Sequence, residues 1–289
     1  MTDLVLPAWH NGNFCQTSDL KVNALDLGIM HGEGLYDVFT VKQSRVLGLH
    51  YHLERFFAGI EYQQLPISLD KDQIIDVVAE LYRASNLTDC QICMIVTRGV
   101  PQTYIIRDIL TTVPEFMIFP VPYRMLNGGT PLNLCISQQV RRIPDWAVDQ
   151  RHKNFARQDF NRAAIECHQL GFHRPLLLDE HGYVTEGPQF NVAIIKNGKV
   201  RSPAKNRLSG VTMKILAELC SENNIEFEFA DITVEKLMDA DDAFATCTLG
   251  GIVNIAKVDQ QLYQESETQK KLKDLYAQAW QLDRYTQRI

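Results

Sequence analysis

The chain has 289 residues, of which 45% are hydrophobic and 22% are charged, and its formal net charge is −6 at neutral pH. This length supports two packed domains, the composition is that of a globular protein, and no apolar run is long enough to span a bilayer. The charges form no basic block or acidic tail, which argues against nucleic acid and anionic membranes as general partners and leaves only a local basic site open. Since the first residues show no secretion signal, a soluble cytoplasmic protein is expected.

The seven cysteines are scattered along the chain and most are flanked by apolar residues, so reduced thiols are expected. Cys90 and Cys93 have the spacing of a redox or metal pair, but there is no second pair and the sequence continues as a strand. His50 and His52 are too short a pair to indicate zinc. No metal site is therefore predicted.

The first half of the chain alternates between strand and helix patterns. Residues 34–49 predict a β-hairpin around a Lys-Gln-Ser turn, and a helical period begins at His52. A second amphipathic helix is predicted at about 71–85. The segments CQICMIVTRG and EFMIFPVPY are rich in β-formers and predict two further strands.

Prolines at the end of EFMIFPVPY, followed by Asn127-Gly128-Gly129, predict the boundary between two domains. We expect a smaller N-terminal domain at 1–120, a linker at 121–130 and a larger C-terminal domain at 131–289. Each half mixes strands and helices without internal repeats, which favours an α+β fold in two domains.

The second half begins with the strand-like segment LNLCIS and continues with a helix near 154–170. A hairpin-like pattern follows, from PLLLDEHGYV to FNVAIIKNGKV. The helix predicted from Gly210 to Asn223 places its apolar residues on one face, as a half-buried helix requires. These residues are Val211, Ile215, Leu216, Leu219 and Cys220.

Lys153 stands where a helix is predicted to begin, and the basic residues Arg151 and His152 precede it directly. Cationic neighbours and partial burial lower the pKa of an amine, which a lysine needs in order to act as a nucleophile near neutral pH. By itself this pattern is more typical of a solvated surface lysine.

Glu186 ends a strand in Tyr183-Val184-Thr185-Glu186-Gly187, where a carboxylate can keep a heterocyclic nitrogen protonated. The alternative is a surface glutamate beside a turn. Ser209 and Gly210 open the helix that follows, and the free N–H groups of such a helix start bind phosphate. The alternative there is an ordinary serine cap.

Thr248 lies in Thr246-Cys247-Thr248-Leu249-Gly250-Gly251, where hydroxyls and glycine-rich backbone suit a small anion. A plain glycine turn between strands is the alternative. Arg55, one helical turn after His52, can direct a guanidinium at a phosphate or simply face solvent. From Lys153, the carboxylate lies 33 residues on and the two turns lie 59 and 95 residues on.

The order of these segments, from about residue 20 to 260, resembles the fold-type IV pyridoxal-phosphate enzymes. This group includes branched-chain and D-amino-acid aminotransferases, aminodeoxychorismate lyases and (R)-selective amine transaminases. The resemblance implies the two-domain α+β fold of the D-amino-acid aminotransferases, with pyridoxal 5'-phosphate (PLP) bound to Lys153 as a Schiff base. Glu186 would hold the pyridine nitrogen. The phosphate would be held by Arg55, the backbone at Val211 and Thr212, and Thr248.

Within this group the chain looks most like the (R)-amine transaminases, a likeness that five segments carry. These are Tyr36-Asp37-Val38, Thr40-Val41, VTRG at 96–99, RRIP at 141–144 and CTLGGI at 247–252. The likeness implies transfer from R-configured primary amines to pyruvate or another keto acid. It places Tyr36 and Val38 at the substrate. Arg107 is the candidate for the substrate carboxylate, with a surface arginine as the alternative.

The chain differs from the (R)-amine and branched-chain patterns at two places that concern the substrate. Branched-chain enzymes resemble one another in a tyrosine five residues after the lysine, whereas this chain has Gln158 there. The segment His31-Gly32-Glu33-Gly34-Leu35-Tyr36 is more similar to D-amino-acid aminotransferases. D-amino-acid and branched-chain donors therefore stay open.

By the same resemblance, the freed Lys153 moves the proton between the donor carbon and the cofactor, and a homodimer with sites near the subunit interface is expected. The partners are then a small amine or amino acid and a keto acid. An aminodeoxychorismate lyase is the first rival, and a non-catalytic cofactor-binding homologue is the second. A nicotinamide dehydrogenase is weaker, because the glycines at 32 and 34 lack a third.

Overall fold

The computed structural model describes residues 5–103 and 108–289. Within these ranges the strands are β1 (Pro7–His10), β2 (Asn13–Gln16), β3 (Gly34–Lys42), β4 (Arg45–Leu47), β5 (Asp89–Pro101), β6 (Thr112–Pro122), β7 (Leu132–Arg141), β8 (Arg174–Leu178), β9 (Glu186–Gly187), β10 (Phe190–Lys196), β11 (Lys199–Pro203), β12 (Phe227–Ala230), β13 (Asp242–Cys247), β14 (Gly251–Val258), β15 (Gln261–Leu262) and β16 (Thr286–Arg288). The helices are α1 (Leu27–His31), α2 (Leu49–Gln63), α3 (Lys71–Ser85), α4 (Gln158–Gln169), α5 (Val211–Glu222), α6 (Val234–Met238) and α7 (Glu267–Ala279). None of these helices is long and apolar enough to cross a membrane.

The chain forms two compact units. The first comprises the described residues of Met1–Arg124 together with His152–Ala156 and Asp283–Ile289. The second comprises Met125–Arg151 and Arg157–Leu282. Each unit combines helices with one β-sheet.

The sheet of the first unit has seven strands in the order β16-β4-β3-β5-β6-β1-β2. Neighbouring strands are antiparallel throughout. The predicted hairpin is confirmed as β3 and β4, which are joined by Gln43 and Ser44. Both turn residues have positive φ, 48° and 62°, as a tight two-residue hairpin requires.

One face of β3 is covered by α2. Leu35 and Phe39 lie on this face and share a buried apolar core with Leu53 and Phe56 of the helix. Side chains alternate between the two faces of a strand, so the intervening residues of β3 belong to the opposite face.

The helix predicted at 71–85 is confirmed as α3. Asp70 accepts a hydrogen bond from the backbone N–H of Gln73, whose side chain in turn accepts one from the backbone N–H of Asp70. Such a capping box fixes the first turn, and Asn86 in the left-handed conformation ends the helix. The preceding helix, α2, begins at Leu49, three residues before the predicted start, because Gly48 turns the chain there.

The second sheet follows the order β12-β11-β10-β13-β14-β7-β8, with β9 beside β10 and β15 beside β14. Its strands are mixed, because β12, β7 and β8 each run parallel to a neighbour. The end of the predicted hairpin-like pattern is the β10–β11 hairpin.

The helix predicted from Gly210 to Asn223 is confirmed as α5, and all five residues of its predicted apolar face are buried. It packs on the sheet face formed by β10 and β13, where Met213 and Leu216 contact a core that includes Ala193 and Phe244. The helix predicted near 154–170 begins later than expected, at Gln158.

Candidate active site

Lys153 lies in a non-helical segment of the first unit, not at the start of a helix as predicted. Its backbone carbonyl accepts a hydrogen bond from the N–H of Tyr36 at 2.9 Å. The N–H of Phe155 donates to the carbonyl of Gly34 at 3.1 Å. These bonds tie the segment to β3 and fix the backbone from which the lysine side chain extends.

The ammonium group of Lys153 lies over the ring of Tyr36, with 4.8 Å between Nζ and the ring centroid. An aromatic face attracts a cation at this distance. The side chain of Arg151, two positions before Lys153, is 68% exposed and pairs with Asp149 at 2.6 Å.

Asp37, on the α2 side of β3, is a fully buried carboxylate in the same unit. Its Oδ1 accepts from Nδ1 of His52 at 2.7 Å. Arg55 donates to Oδ2 through Nε at 2.9 Å and through Nη2 at 2.7 Å. Arg55, predicted to hold phosphate, thus places two of its nitrogens on Asp37.

Burial alone would raise the pKa of Asp37, but the charge of Arg55, the interaction with His52 and the charge of Lys153 outweigh it and lower the pKa to about 2. Burial also lowers the pKa of His52 from its ordinary value. His52 is therefore neutral at pH 7 and donates through Nδ1, because a carboxylate only accepts. The cluster anchors α2 to β3.

Asp37 should make the protein sensitive to acid. A folded pKa of about 2, below the ordinary 3.8, means that its stabilisation is complete above pH 4 and is lost as the pH falls towards 2. This shift corresponds to about 2 kcal/mol. We expect Asp37→Asn to reduce the pH dependence of the free energy of unfolding in this window, as measured by urea titrations at several pH values.

Asp283→Asn is the matched control for this measurement, because the Asp283 side chain is 99% exposed and lies 3.8 Å from Arg45. Its removal should leave the pH dependence unchanged. An Asp37→Asn protein that keeps the full dependence would show that Asp37 is not the acid-sensitive group.

In the second unit, Glu186 on β9 is only 3% exposed and is held at both oxygens. Oε1 accepts from Arg142 through Nη2 at 3.1 Å and Nε at 3.3 Å. Oε2 accepts from Nδ2 of Asn191 at 3.0 Å. Donors on both sides orient the carboxylate.

Arg142 is almost completely buried and serves more than one partner. Besides Glu186, its guanidinium donates to Asp159 and to Gln150. The guanidinium also stacks on Phe160, with 4.2 Å between its carbon and the ring centroid. One buried cation therefore balances two buried carboxylates.

The start of α5 lies against Asn191. A Cβ placed on Gly210 would stand 1.8 Å from Oδ1 of Asn191, so only glycine fits. Gly210, not Ser209, is the residue before the helix, so the capping position itself has no side chain. The first N–H groups of α5, at Val211 and Thr212, therefore have the arrangement that binds an anion.

Thr248 lies one residue beyond the end of β13, the strand on which α5 packs. The carbonyl of the next residue, Leu249, accepts a hydrogen bond from the N–H of Leu126 at 3.2 Å, which holds the turn. Gly251 closes the turn with φ 65°, a conformation that favours glycine. The second unit thus carries Glu186, Val211, Thr212 and Thr248.

The predicted substrate residues Tyr36 and Val38 lie on the face of β3 opposite α2, and both are half-buried. Tyr36 presents its ring to Lys153 on this face. Arg107 lies outside the described residues. Gln158 is exposed at the first position of α4.

Sequence reasoning missed several charged and polar partners. Asp37 and Arg142 appeared only within the segments Tyr36-Asp37-Val38 and RRIP. Asp159 and Asn191 were given no role. Asn191 could have been recognised from the sequence, because it is a polar residue in a strand that is otherwise apolar up to its last residue, Lys196. Asp159 could not have been recognised in this way, since an acidic residue in the first turn of a helix is common.

Cys90 and Cys93 do not form a redox or metal pair. They are three residues apart in β5, so their side chains point to opposite faces of the sheet. Cys90 opposes Val41 and Cys93 opposes Val38.

Residues 34–258 match the family model Amino-transferase class IV. The putative branched-chain-amino-acid aminotransferase of Methanocaldococcus jannaschii is 30% identical over 271 residues, which are 92% of this chain and 93% of that protein. The D-alanine aminotransferase of Staphylococcus haemolyticus is 25% identical over 256 residues, 86% of this chain and 88% of that protein.

Among solved structures, the branched-chain amino acid aminotransferase of Thermobaculum terrenum in its PLP form has a TM-score of 0.87 at 20% identity. The likeness covers 97% of this chain and 96% of that one, and it confirms the predicted α+β fold. The family match confirms the aminotransferase prediction, while the (R)-amine subgroup stays a prediction. The chain belongs to the class IV aminotransferase family.

Proposed function

We propose that this chain is a PLP-dependent transaminase that transfers an amino group from a D-amino acid or R-configured amine to a keto acid. The observation that carries the proposal is Glu186, a buried carboxylate oriented by Arg142 and Asn191. A carboxylate fixed in this way suits a protonated heteroaromatic nitrogen. The PLP form of the Thermobaculum terrenum structure supports the cofactor.

The residues present fit PLP in both units. The first carries Lys153, whose amine is the group that would bind the cofactor covalently. The second carries Glu186 and the start of α5, where the capping position is Gly210 and there is no room for a side chain. A carboxylate, a helix start and an amine match the nitrogen, the phosphate and the aldehyde of PLP.

PLP, when bound, supplies an electron sink for the charge left when the donor carbon loses its proton. In our proposal the Lys153 amine removes that proton and later returns one. Tyr36 orients the Lys153 side chain through the contact of its ring face. Glu186 would hold a proton at the pyridine nitrogen, and the N–H groups of Val211 and Thr212 would bind the phosphate with Thr248 and Arg55.

The stereochemistry of the donor links two of the candidates. D-alanine and (R)-1-phenylethylamine present the same hand at the carbon that loses its proton, so one arrangement of Lys153 serves both. The Staphylococcus haemolyticus relative favours a D-amino acid. The Methanocaldococcus jannaschii relative favours a branched-chain amino acid as the second candidate. We also propose that the protein forms a homodimer and is located in the cytoplasm.

The test is the visible spectrum of the PLP-loaded protein mixed separately with D-alanine, (R)-1-phenylethylamine and L-leucine, without a keto acid. We expect D-alanine to bleach the band of the lysine-bound cofactor, because the amino group moves to the cofactor. Bleaching by L-leucine alone would favour the branched-chain candidate.

Bleaching by (R)-1-phenylethylamine but not by D-alanine would assign the chain to the amine transaminases. Release of pyruvate from aminodeoxychorismate without any keto acid would instead identify the lyase. A protein that gains no band after PLP is added would overturn the proposal as a whole.

A further inference from the structure

Three polar residues form a row across neighbouring strands of the second sheet. Asn191 on β10 lies directly opposite Glu186 on β9 and directly opposite Thr246 on β13. Residues that face each other across antiparallel strands lie on the same side of the sheet. Two strand spacings, about 10 Å, therefore separate Glu186 at one end of the row from Thr246 at the other.

This row lies on the face that α5 covers. Ala193 and Phe244 face α5, and they stand two residues from Asn191 and Thr246 along their own strands. Alternate residues share a face, so Thr246 also points to the α5 side. The residue just before the helix, Gly210, touches Asn191, which places the helix start over the row.

Thr246 is 1% exposed, and its Oγ1 has no hydrogen-bond partner among the described residues. In the second unit it is the one buried side-chain nitrogen or oxygen in this state within the described ranges. Two other buried hydroxyls of the unit are satisfied, since Thr185 donates to Leu177 O at 2.8 Å and Ser202 to Val192 O at 2.9 Å. A buried hydroxyl without a partner is costly, which indicates that a ligand completes it.

We propose that the Thr246 hydroxyl donates a hydrogen bond to a phosphate oxygen bound at the start of α5. This inference rests on the proposed function, because it takes the 5'-phosphate of PLP as the anion. It adds a side-chain donor on β13 to the helix N–H groups. The row then serves both ends of one ligand, with Glu186 for the pyridine nitrogen and Thr246 for the phosphate.

The experiment compares the binding of PLP and of pyridoxal, which lacks the phosphate, to the apoprotein and to Thr246→Val, which keeps the shape but loses the hydroxyl. We expect PLP to bind about tenfold more weakly to the variant, because a hydrogen bond to a charged group is lost. Pyridoxal should bind equally to both proteins. Thr246→Ser, which keeps a hydroxyl, should retain most of the affinity for PLP.

Thermal unfolding of the apoproteins separates ligand binding from a structural role. Since the Thr246 hydroxyl has no partner in the part of the chain that the structure describes, Thr246→Val should unfold at the same temperature as the wild type or higher. Ser202→Ala is the matched control, because it removes a satisfied buried hydroxyl. It should unfold at a lower temperature but keep the wild-type ratio of PLP affinity to pyridoxal affinity.

Equal PLP affinity in Thr246→Val and the wild type would overturn this inference while leaving the proposed function intact. Equal weakening of PLP and pyridoxal would also overturn it, because the hydroxyl would then contact the ring and not the phosphate. A loss of apoprotein stability in both Thr246 variants would assign the side chain to the fold. A wild-type protein that binds no PLP would instead reject the proposed function.

Discussion

Replacing Lys153 by alanine should lower the rate of amino transfer by roughly 10⁴-fold or more, because one side chain supplies both the covalent attachment and the proton transfer. The variant should also lack the absorption band of the lysine-bound cofactor while still binding PLP through the groups of the second unit. Rates of the half-reaction with D-alanine and the visible spectrum measure these two effects. Borohydride reduction of the wild type should attach the cofactor at residue 153.

Lys205→Ala is the matched control for this experiment. The Lys205 side chain is 71% exposed and lies 3.9 Å from Asp231, which is a weak surface pair. Its loss should change neither the spectrum nor the rate. Amino transfer near the wild-type rate in Lys153→Ala would reject the assignment of this lysine.

Replacing Arg142 by leucine should lower the free energy of unfolding by about 3–5 kcal/mol, the usual cost of removing one partner from a buried ion pair. The cost arises because Glu186 and Asp159 would both remain buried without their shared cation. Urea unfolding of the apoprotein measures it. Adding Glu186→Gln and Asp159→Asn to Arg142→Leu should recover part of the loss, because the unpaired charges are then removed.

Arg151→Met provides the comparison, because Arg151 also pairs with an aspartate but is 68% exposed. Its loss should cost no more than about 1 kcal/mol. Similar small losses for Arg142→Leu and Arg151→Met would show that the buried network contributes little to stability.

Local patterns were sufficient where neighbouring residues decide the structure. The bounds of α3 follow from the capping box between Asp70 and Gln73 and from Asn86 at its end. The buried face of α5 follows from its apolar spacing alone. Neither feature depends on residues far away in the chain.

The setting of Lys153 could not be predicted from its neighbours in the sequence. The segment is held against β3 by backbone hydrogen bonds, and Tyr36 stands 117 positions earlier in the chain. A helical pattern that truly begins at Gln158 was therefore extended too far towards the N-terminus. Pairing over such a distance leaves no periodic signal in the sequence.

The burial of particular charged residues also could not be predicted from the neighbouring sequence. Arg141 and Arg142 are adjacent, yet the first is exposed and the second is almost completely buried. The difference comes from Glu186 and Asp159, which lie 44 and 17 positions away. Charged residues are usually exposed, so composition alone assigns both arginines to the surface.

The first unit is built from three separate stretches of the chain, and this affects how it folds during synthesis. Domains usually fold during synthesis as they leave the ribosome. Here β3 acquires the bonds of Tyr36 and Gly34 only once residues 152–156 have emerged, and β4 acquires its outer partner only with Thr286–Arg288. The sheet edge at β4 therefore stays unpaired until β16 has been synthesised. A chaperone would be most useful during this interval.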